Sequence, residues 1–440
     1  MQQQQYNGTE IRATLIFGSA PTVISRPRNR ENALTVRKKK HAFYIIDKLR
    51  QFGHKAYIVG GGVRDLLLNV QPKDFDVSTS ASPDEIRSLF RSAILIGRRF
   101  RLAHVRFGRK IIEVSTFRKG DIESSELIVR DNQWGSEEED VLRRDFTING
   151  LFYDPHQEIV IDYVDGYPDL EKRVLRTIGQ PQARFNQDPV RMIRLIKFCA
   201  RLQFEIDPST FEALLACRKE IIKSSSVRVL EELLRMLESG ASKSFFHLLQ
   251  QYGILTALLP ELSFFLENKD QDSHTLQLLA AIDVEIQKSE KPPDRSLLLS
   301  ALIFPLFDQY VHDRSKTEER FLHLGQISAS AFHVIDCVFS PFFKMPRRLR
   351  AMIAFILVSQ YRFIPLDGRK IHKPRLLADA LTPLALKLLK IRSSVRSELL
   401  SHYTLWTEAA FHLEEEPQIA ERERTESSRT RRKRSTEKKI

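Results

Sequence analysis

The chain has 440 residues, enough for two or three domains with sizeable cores, and its 42% hydrophobic and 28% charged content is that of a soluble globular protein. A formal net charge of +13 favours a polyanionic partner, nucleic acid before membrane, and no apolar run approaches the ~18 residues of a membrane span. Three dispersed cysteines (Cys199, Cys217, Cys337) argue against a disulfide framework or a cysteine zinc site and suit the cytoplasm.

Residues 1–31 read as a flexible basic extension without the apolar core of a secretion signal, although scarce acidic residues leave a transit peptide open. Ala42, Ile45, Ile46 and Leu49 then recur at helical spacing, with Gly53 as the stop. Tyr57 to Val59 predicts a short strand, Gly60, Gly61 and Gly62 a turn, and Val63 to Leu68 a brief helix. After a loop with Pro72, a second strand is expected to begin with Asp74 and Asp76. Carboxylates two apart on a strand share a face and repel one another. A hard divalent cation reverses that balance, because Mg2+ takes one or two carboxylates together with substrate phosphates. Glycines let the backbone approach a ligand, and Arg64 adds a guanidinium at a helix start where an anion is already favoured. Alone, Asp-x-Asp and Gly-Gly-Gly are common turn sequences; their order within one short unit is what points to a metal-dependent nucleotide site.

Ser82-Pro83-Asp84-Glu85 predicts a capped helix to about Phe90, followed by strands over Ala93–Ile96, Ala103–Phe107 and Lys110–Ser115. Glu113 alternates with Ile112 and Val114, and three placements stay open: a third carboxylate beside a metal, a partner orienting Arg118, or an outward residue on an edge strand. Glu137 to Asp140 reads as a solvated loop or helix start, Glu158 to Tyr163 as a strand. The dense run Arg143-Arg144-Asp145-Phe146-Thr147-Ile148-Asn149 is either surface ion pairing or part of a site.

From Arg184 the pattern turns helical. Asp188 before Pro189 is expected to cap a helix that puts Arg191, Arg194, Lys197 and Arg201 on one side, a stripe that is ordinarily a solvated face. Further apolar segments follow to Leu413, with linkers at Lys269–Ser273 and Ser289–Asp294. His312-Asp313 lacks the companions of a metal phosphohydrolase and is assigned no chemistry, while Lys344 to Arg350 is a basic cluster opening an apolar helix. Arg431, Arg432, Lys433 and Arg434 belong to a low-complexity basic tail expected to be disordered.

Gly60 to Leu68 followed by Lys73-Asp74-Phe75-Asp76-Val77 resembles the head-domain signature of the bacterial poly(A) polymerase and CCA-adding enzyme family, the class II branch of the polymerase-beta-like nucleotidyltransferases. The likeness runs over residues 32–259. It implies an α+β nucleotidyltransferase head with a mixed sheet and helices (residues 32–180), a helical neck for base and RNA binding (181–260), a helical RNA-binding body (261–413) and the tail (414–440). By the same resemblance Asp74 and Asp76 hold Mg2+, Asp145 is a functional carboxylate near sugar and metals, and Gly60, Gly61, Arg64 and Arg144 seat the triphosphate. Asp188 and Arg191 read the base, with Arg194 and Lys197 on the same stripe. Gly150 departs from the small Ala or Ser expected there, Gln187 from Glu, and Lys197 from Arg.

Asp188 only accepts hydrogen bonds and Arg191 only donates them, so the pair matches the amine-plus-ring-nitrogen edge of adenine or cytosine. Guanine or uracil would leave buried groups unpaired at ~1–3 kcal/mol each. The segment Leu95 to Val105, with Arg98 and Arg99 as a cationic turn for RNA, resembles one that marks the poly(A) branch. The expectation is therefore a monomeric polynucleotide adenylyltransferase adding AMP from ATP to RNA 3′ ends. A CCA-adding tRNA nucleotidyltransferase, a small-molecule nucleotidyltransferase and a non-catalytic RNA-binding protein remain the alternatives.

Overall fold

The computed structural model describes residues 22–25, 33–97, 102–119, 133–267, 269–289, 291–366 and 373–412. The chain divides into two compact units, Met1–Ser224 and Ser225–Ile440.

The first unit is built on one mixed sheet. Its strands are β1 (Thr22–Ser25), β2 (Ala56–Val59), β3 (Asp76–Thr79), β4 (Ala93–Ile96), β5 (Leu102–Phe107), β6 (Lys110–Thr116), β7 (Phe152–Asp154) and β8 (Ile159–Asp162). Their spatial order is β1-β8-β7-β2-β3-β6-β5-β4, antiparallel except for the β3–β6 pair. The edge strand Thr22–Ser25 falls inside the stretch read from composition as an extension. Its pairing with β8 depends on a partner more than 130 residues away in sequence, which local composition does not report.

Alternation along the strands separates two faces. Ile58, Val77, Val105 and Val114 point to the face covered by α1 (Ala33–Gln51), whose Ala42, Ile45, Ile46 and Leu49 are fully buried. The side chains of His41 and Tyr44 on that helix stack on or abut Phe107, which fixes α1 to this side. The opposite face carries Tyr57, Val59, Asp76, Ser78, Glu113 and Ser115, since Tyr57 pairs with Ser78, Val59 with Asp76, and Ser78 with Ser115. Part of this face is sealed by an apolar cluster of Tyr57, Val59, Phe117, Val141, Phe152 and Ile178. The rest stays open around the carboxylates.

Short helices punctuate the sheet: α2 (Gly61–Leu67), α3 (Pro83–Leu89), α4 (Glu137–Leu142), α5 (Gly166–Lys172), α6 (Pro181–Gln187), α7 (Val190–Leu202) and α8 (Pro208–Cys217). The capping box expected at Ser82 forms, with Glu85 N–H donating to the serine and Ser82 N–H to the Glu85 carboxylate. Two expectations are corrected. Asp74 lies just before β3 rather than in it, so it reaches the face from a loop. Asp188 is not an N-cap: it closes α6, and Pro189 holds the cap position of α7 with no side-chain hydrogen bond.

The second unit is helical: α9 (Ser226–Leu237), α10 (Ser242–Gln251), α11 (Ile254–Leu258), α12 (Pro260–Glu267), α13 (Lys269–Lys288), α14 (Arg295–Thr317), α15 (Leu324–Phe339), α16 (Arg347–Phe363), α17 (Lys373–Leu377) and α18 (Thr382–Val395). The linker expected at Lys269–Ser273 is instead the start of α13, whereas Ser289–Asp294 does join two helices. The apolar segments form the core; Trp406, for example, packs with Phe363 and donates its indole N–H to the Phe363 carbonyl at 3.0 Å. Within the basic cluster at the start of α16, Arg350 is bound to Asp336 and lies over the Phe332 ring.

Phe152 is the centre of the sealed half of the sheet face, with ring centroids 5.6 Å from Tyr57 and 6.1 Å from Phe117. Phe152→Ala is expected to destabilise the first unit by about 3–5 kcal/mol through the cavity it leaves. Denaturant unfolding followed by Trp134 fluorescence measures this; a loss below about 1 kcal/mol would mean that the cluster collapses freely.

Candidate active site

The open part of the sheet face is organised by the turn between β2 and α2. Gly60 has φ of +69°, a backbone conformation that glycine adopts without strain. A Cβ there would stand 3.3 Å from a guanidinium nitrogen of Arg144. At Gly62 a Cβ would stand 3.1 Å from the Asp74 carbonyl oxygen, so the bare glycine lets the Asp74 loop lie against α2. Phe75 is buried at 1% exposure and anchors that loop, leaving Asp74 exposed and Asp76 half-buried on either side of it.

Glu113 does not lie on an edge strand, and its side chain, about half exposed at 52%, stands on the same sheet face as Asp76. Val77 pairs with Val114 in the parallel β3–β6 ladder, so Asp76 and Glu113 sit side by side at the preceding step, and β6 is an interior strand. Glu113 is also opposite His104, at 3.5 Å. Burial, then the neighbouring charges of Glu113 and Asp74, push the Asp76 carboxyl up to about 6, while Arg144 works against them. Among the described residues no three His, Cys, Asp or Glu side chains form a ready-made metal cage.

Arg144 is aimed at this cluster by Asp140, a residue whose sequence context suggests solvent. Asp140 is fully buried on α4 and accepts from Arg144 at 2.8 Å, from Arg143 at 2.8 Å and from the Arg118 backbone N–H at 3.2 Å. Burial opposes its charge, but Arg144 and Arg143 hold its carboxyl below the usual range. The signal was present: Asp140 lies three and four residues before the two arginines, the spacing of neighbours on a helix. The Arg144 guanidinium also lies over the Phe152 ring, 5.2 Å from its centroid.

Behind the turn a chain of polar contacts joins α2 to α7. Arg64, 3% exposed, donates to Asp65 at 2.6 and 2.9 Å and to the Asn149 side-chain oxygen at 2.7 Å. Asn149 in turn donates to Asp145 at 3.1 Å, and Asp145 pairs with Arg194 at 2.7 Å. Although burial works to raise it, the Asp145 carboxyl is held below its ordinary value by Arg194 first, then by Asn149 and the Phe146 N–H. Gly150 is explained by packing, since a Cβ would stand 2.7 Å from the Val164 side chain.

The stripe on α7 is only partly the solvated face its spacing suggests: Arg201 is exposed, whereas the other three cations are engaged within the protein. Arg191 is buried and donates to the carbonyls of Arg184 and Arg143, at 2.9 and 3.2 Å; Arg194 holds Asp145; the Lys197 ammonium is 5.4 Å from the Phe198 ring centre. Beneath them Arg184, 1% exposed, donates to Gln187 at 2.9 Å and to the Arg143 and Arg144 carbonyls at 2.6 Å each. Burial pulls its guanidinium down to about 9, and it remains a cation at neutral pH. Gln187, in place of the expected Glu, thus serves Arg184 with its amide oxygen. Arg98, Arg99, Arg431, Arg432, Lys433 and Arg434 lie outside the described residues.

Because the folded protein holds the Asp76 proton more tightly than the unfolded chain, the contribution of this group to stability is greatest below the ordinary aspartate range and falls as pH rises to about 6. Asp76→Asn removes that loss. Without divalent cations, it is expected to exceed wild type in denaturant stability by up to about 2–3 kcal/mol near neutral pH, the two converging near pH ~4. Equal stabilities at neutral pH would show that the carboxylates do not oppose one another.

Known proteins share this fold and part of its sequence. A family profile described as "Poly A polymerase head domain" matches residues 56–176, and one described as "Probable RNA and SrmB- binding site of polymerase A" matches residues 203–266. Poly(A) polymerase I of Salmonella typhimurium is 36% identical over 373 residues, 81% of this chain and 79% of the relative. The likeness therefore continues well beyond residue 259, where the sequence motifs fade. The CCA-adding enzyme of Staphylococcus aureus is 37% identical, but over 46% of this chain and 51% of its own length. In fold, the Bacillus stearothermophilus CCA-adding enzyme, solved in complex with CTP, matches with a TM-score of 0.62 and 24% identity over 84% of this chain and 82% of that one. A nucleotidyltransferase head, a helical remainder and sustained identity to poly(A) polymerases have one consequence: the chain belongs to the bacterial poly(A) polymerase family.

Proposed function

We propose that the chain transfers AMP from ATP to the 3′-hydroxyl of RNA without a template, releasing pyrophosphate. The observation that carries this reading is the β3–β6 register that sets Asp76 beside Glu113, next to the Asp74 loop and the Gly60 turn with Arg144, in a chain matched over 81% of its length by a poly(A) polymerase.

The donor set fits Mg2+: oxygen ligands only, and a carboxyl raised by surrounding negative charge that a hard dication would relieve. Asp74 and Asp76 would hold the metal, with Glu113 beside them and the remaining positions filled by triphosphate oxygens and water. Bound there, two Mg2+ ions would supply Lewis-acid activation of the attacking hydroxyl and neutralisation of the leaving phosphates. Gly60 and Gly61 let the triphosphate come close to the backbone, and Arg144, oriented by Asp140, offers it a guanidinium. Arg64 keeps positive charge under the same turn, while its bonds to Asp65 and Asn149 brace α2. Asp145 serves as the anchor of Arg194. Asp188 accepts from the base and Arg191 donates to it with N–H groups beyond the two given to carbonyls. That pair admits A or C; the preference for ATP rests on the sustained likeness to poly(A) polymerases. The segment over residues 203–266, Arg98, Arg99 and the C-terminal basic residues bind the RNA.

Asp74→Ala and Asp76→Ala are each expected to lower adenylate incorporation at least about a thousandfold while RNA binding survives, as loss of charge stabilisation in the transition state requires. The decisive assay offers the wild-type protein, Mg2+ and one nucleotide at a time to a generic RNA and to a tRNA lacking its 3′ terminus. Long adenylate tails on both RNAs support the proposal. Ordered addition of C, C and A confined to the tRNA would replace it with CCA addition, and no Mg2+-dependent incorporation at all would leave an RNA-binding protein. Deletion after Ala420 is expected to weaken RNA affinity and flatten its salt dependence, by ~0.7 in log–log slope for each single-strand phosphate that the tail neutralises. An unchanged slope in filter binding would remove the tail from the RNA interface.

A further inference from the structure

The second unit contains a cavity of about 190 Å³ that the nucleotidyl transfer does not use. It lies among α14, α16 and α18. Its lining is apolar at Phe304, Ile364, Leu366 and Leu399 and charged at Arg392, Arg396 and Asp308. Arg392 is 8% exposed; one of its guanidinium nitrogens donates to the Gln360 side-chain oxygen at 3.0 Å, and the plane lies 4.0 Å from the centre of the Phe304 ring. The Gln360 amide nitrogen is engaged elsewhere, donating to the Ile356 and Ala385 carbonyls. Asp308, the nearby carboxylate, is occupied by the Tyr361 hydroxyl at 2.6 Å. His312, which carries no recognisable motif, contacts the Asp308 carbonyl oxygen through its ring nitrogen.

The charge balance of the cavity is therefore positive. Two guanidiniums four residues apart, Arg392 in α18 and Arg396 at its end, share the lining with a single carboxylate, Asp308, which also accepts the Tyr361 hydroxyl. A third nitrogen base, His274, lies against Arg396 at 3.4 Å and is held neutral, its pKa lowered to about 4 by burial and then by Arg396. The one carboxylate offsets one of the two cations, and guanidiniums pair best with the oxygens of phosphates or carboxylates. A concave, largely apolar pocket with a few convergent polar groups is the form of a small-molecule site. The apolar lining asks for a flat, uncharged body attached to the anion.

We propose that this cavity is a second ligand site, one that takes a nucleoside phosphate, with the phosphate on Arg392 and Arg396 and the base against Ile364, Leu366 and Leu399. The polar groups at the apolar lining are already committed, so the base is accommodated rather than read. The ligand comes either from free nucleotide or from a nucleotide within RNA, which share this chemistry. The site stands independently of the transfer reaction in the first unit.

The test is photocrosslinking of the full chain with 8-azido-AMP, followed by mapping of the labelled peptides. Label is expected within residues 295–317, 347–366 or 382–399, reduced at least about tenfold by Arg392→Gln, as loss of a charge-assisted contact predicts. Leu399→Trp, which fills the half-buried mouth, is expected to do the same and decides the matter where Arg392→Gln fails to fold. Competition by AMP identifies free nucleotide as the source, and competition by oligoadenylate alone identifies RNA. Label confined to the first unit, or label in the second unit that survives both variants, would overturn the proposal.

Discussion

Asp76 is held where its own charge is unwelcome. The β3–β6 register sets it beside Glu113, the Gly62 contact brings the Asp74 loop near, and burial deprives Asp76 itself of full solvation. A fold selected for stability alone would place a neutral residue there. The surrounding structure makes this arrangement tenable from behind, because the apolar cluster around Phe152 and the α1 face of the sheet hold the strands in place. The site is thus a local excess of negative charge, opposed within the protein chiefly by Arg144. That imbalance is what a dication and a triphosphate together would relieve.

The cations of the unit are placed with equal care. Arg64, Arg184 and Arg191 are all buried, and all three spend hydrogen bonds on the backbone or on neutral and acidic side chains of neighbouring elements. Arg184 binds the carbonyls at the end of α4, which fixes where the Arg143–Arg144 pair leaves that helix. Asp140 then fixes where the two side chains point. The Arg64–Asn149–Asp145–Arg194 chain ties the glycine turn to α7, the helix that also carries Arg191. Such networks act as units, and removing one member leaves the others buried and unsatisfied.

In the second unit the same physics has a different result. Its helices bury Arg392 with a ring below it and a glutamine beside it, and leave the remaining charge facing a cavity. Neither Arg392 nor Asp308 stands out in the sequence, because no short spacing joins residues from three separate helices.

Local sequence determined much of the catalytic head. The glycine turn, the Asp-x-Asp pair, the capped helix at Ser82 and the strands around Glu113 follow from turn chemistry and from alternation with period two, and these act over a few residues. What local pattern could not determine was pairing and burial. Whether Glu113 had a carboxylate for a neighbour depended on which strand lay next to β6, and only the parallel pairing with β3 set it beside Asp76. Asp188 and Pro189 looked like a helix cap because that pattern usually is one, but α6 ends on the aspartate and leaves it between two helices. Asp140 read as solvated within an acidic run, and the basic stripe of α7 as a wet face. The short spacing of Asp140 from Arg143 and Arg144 allows those ion pairs, but burial also needs partners from elsewhere in the chain, here the Arg118 N–H for Asp140 and the Arg143 carbonyl for Arg191, and those meet only when the chain has folded.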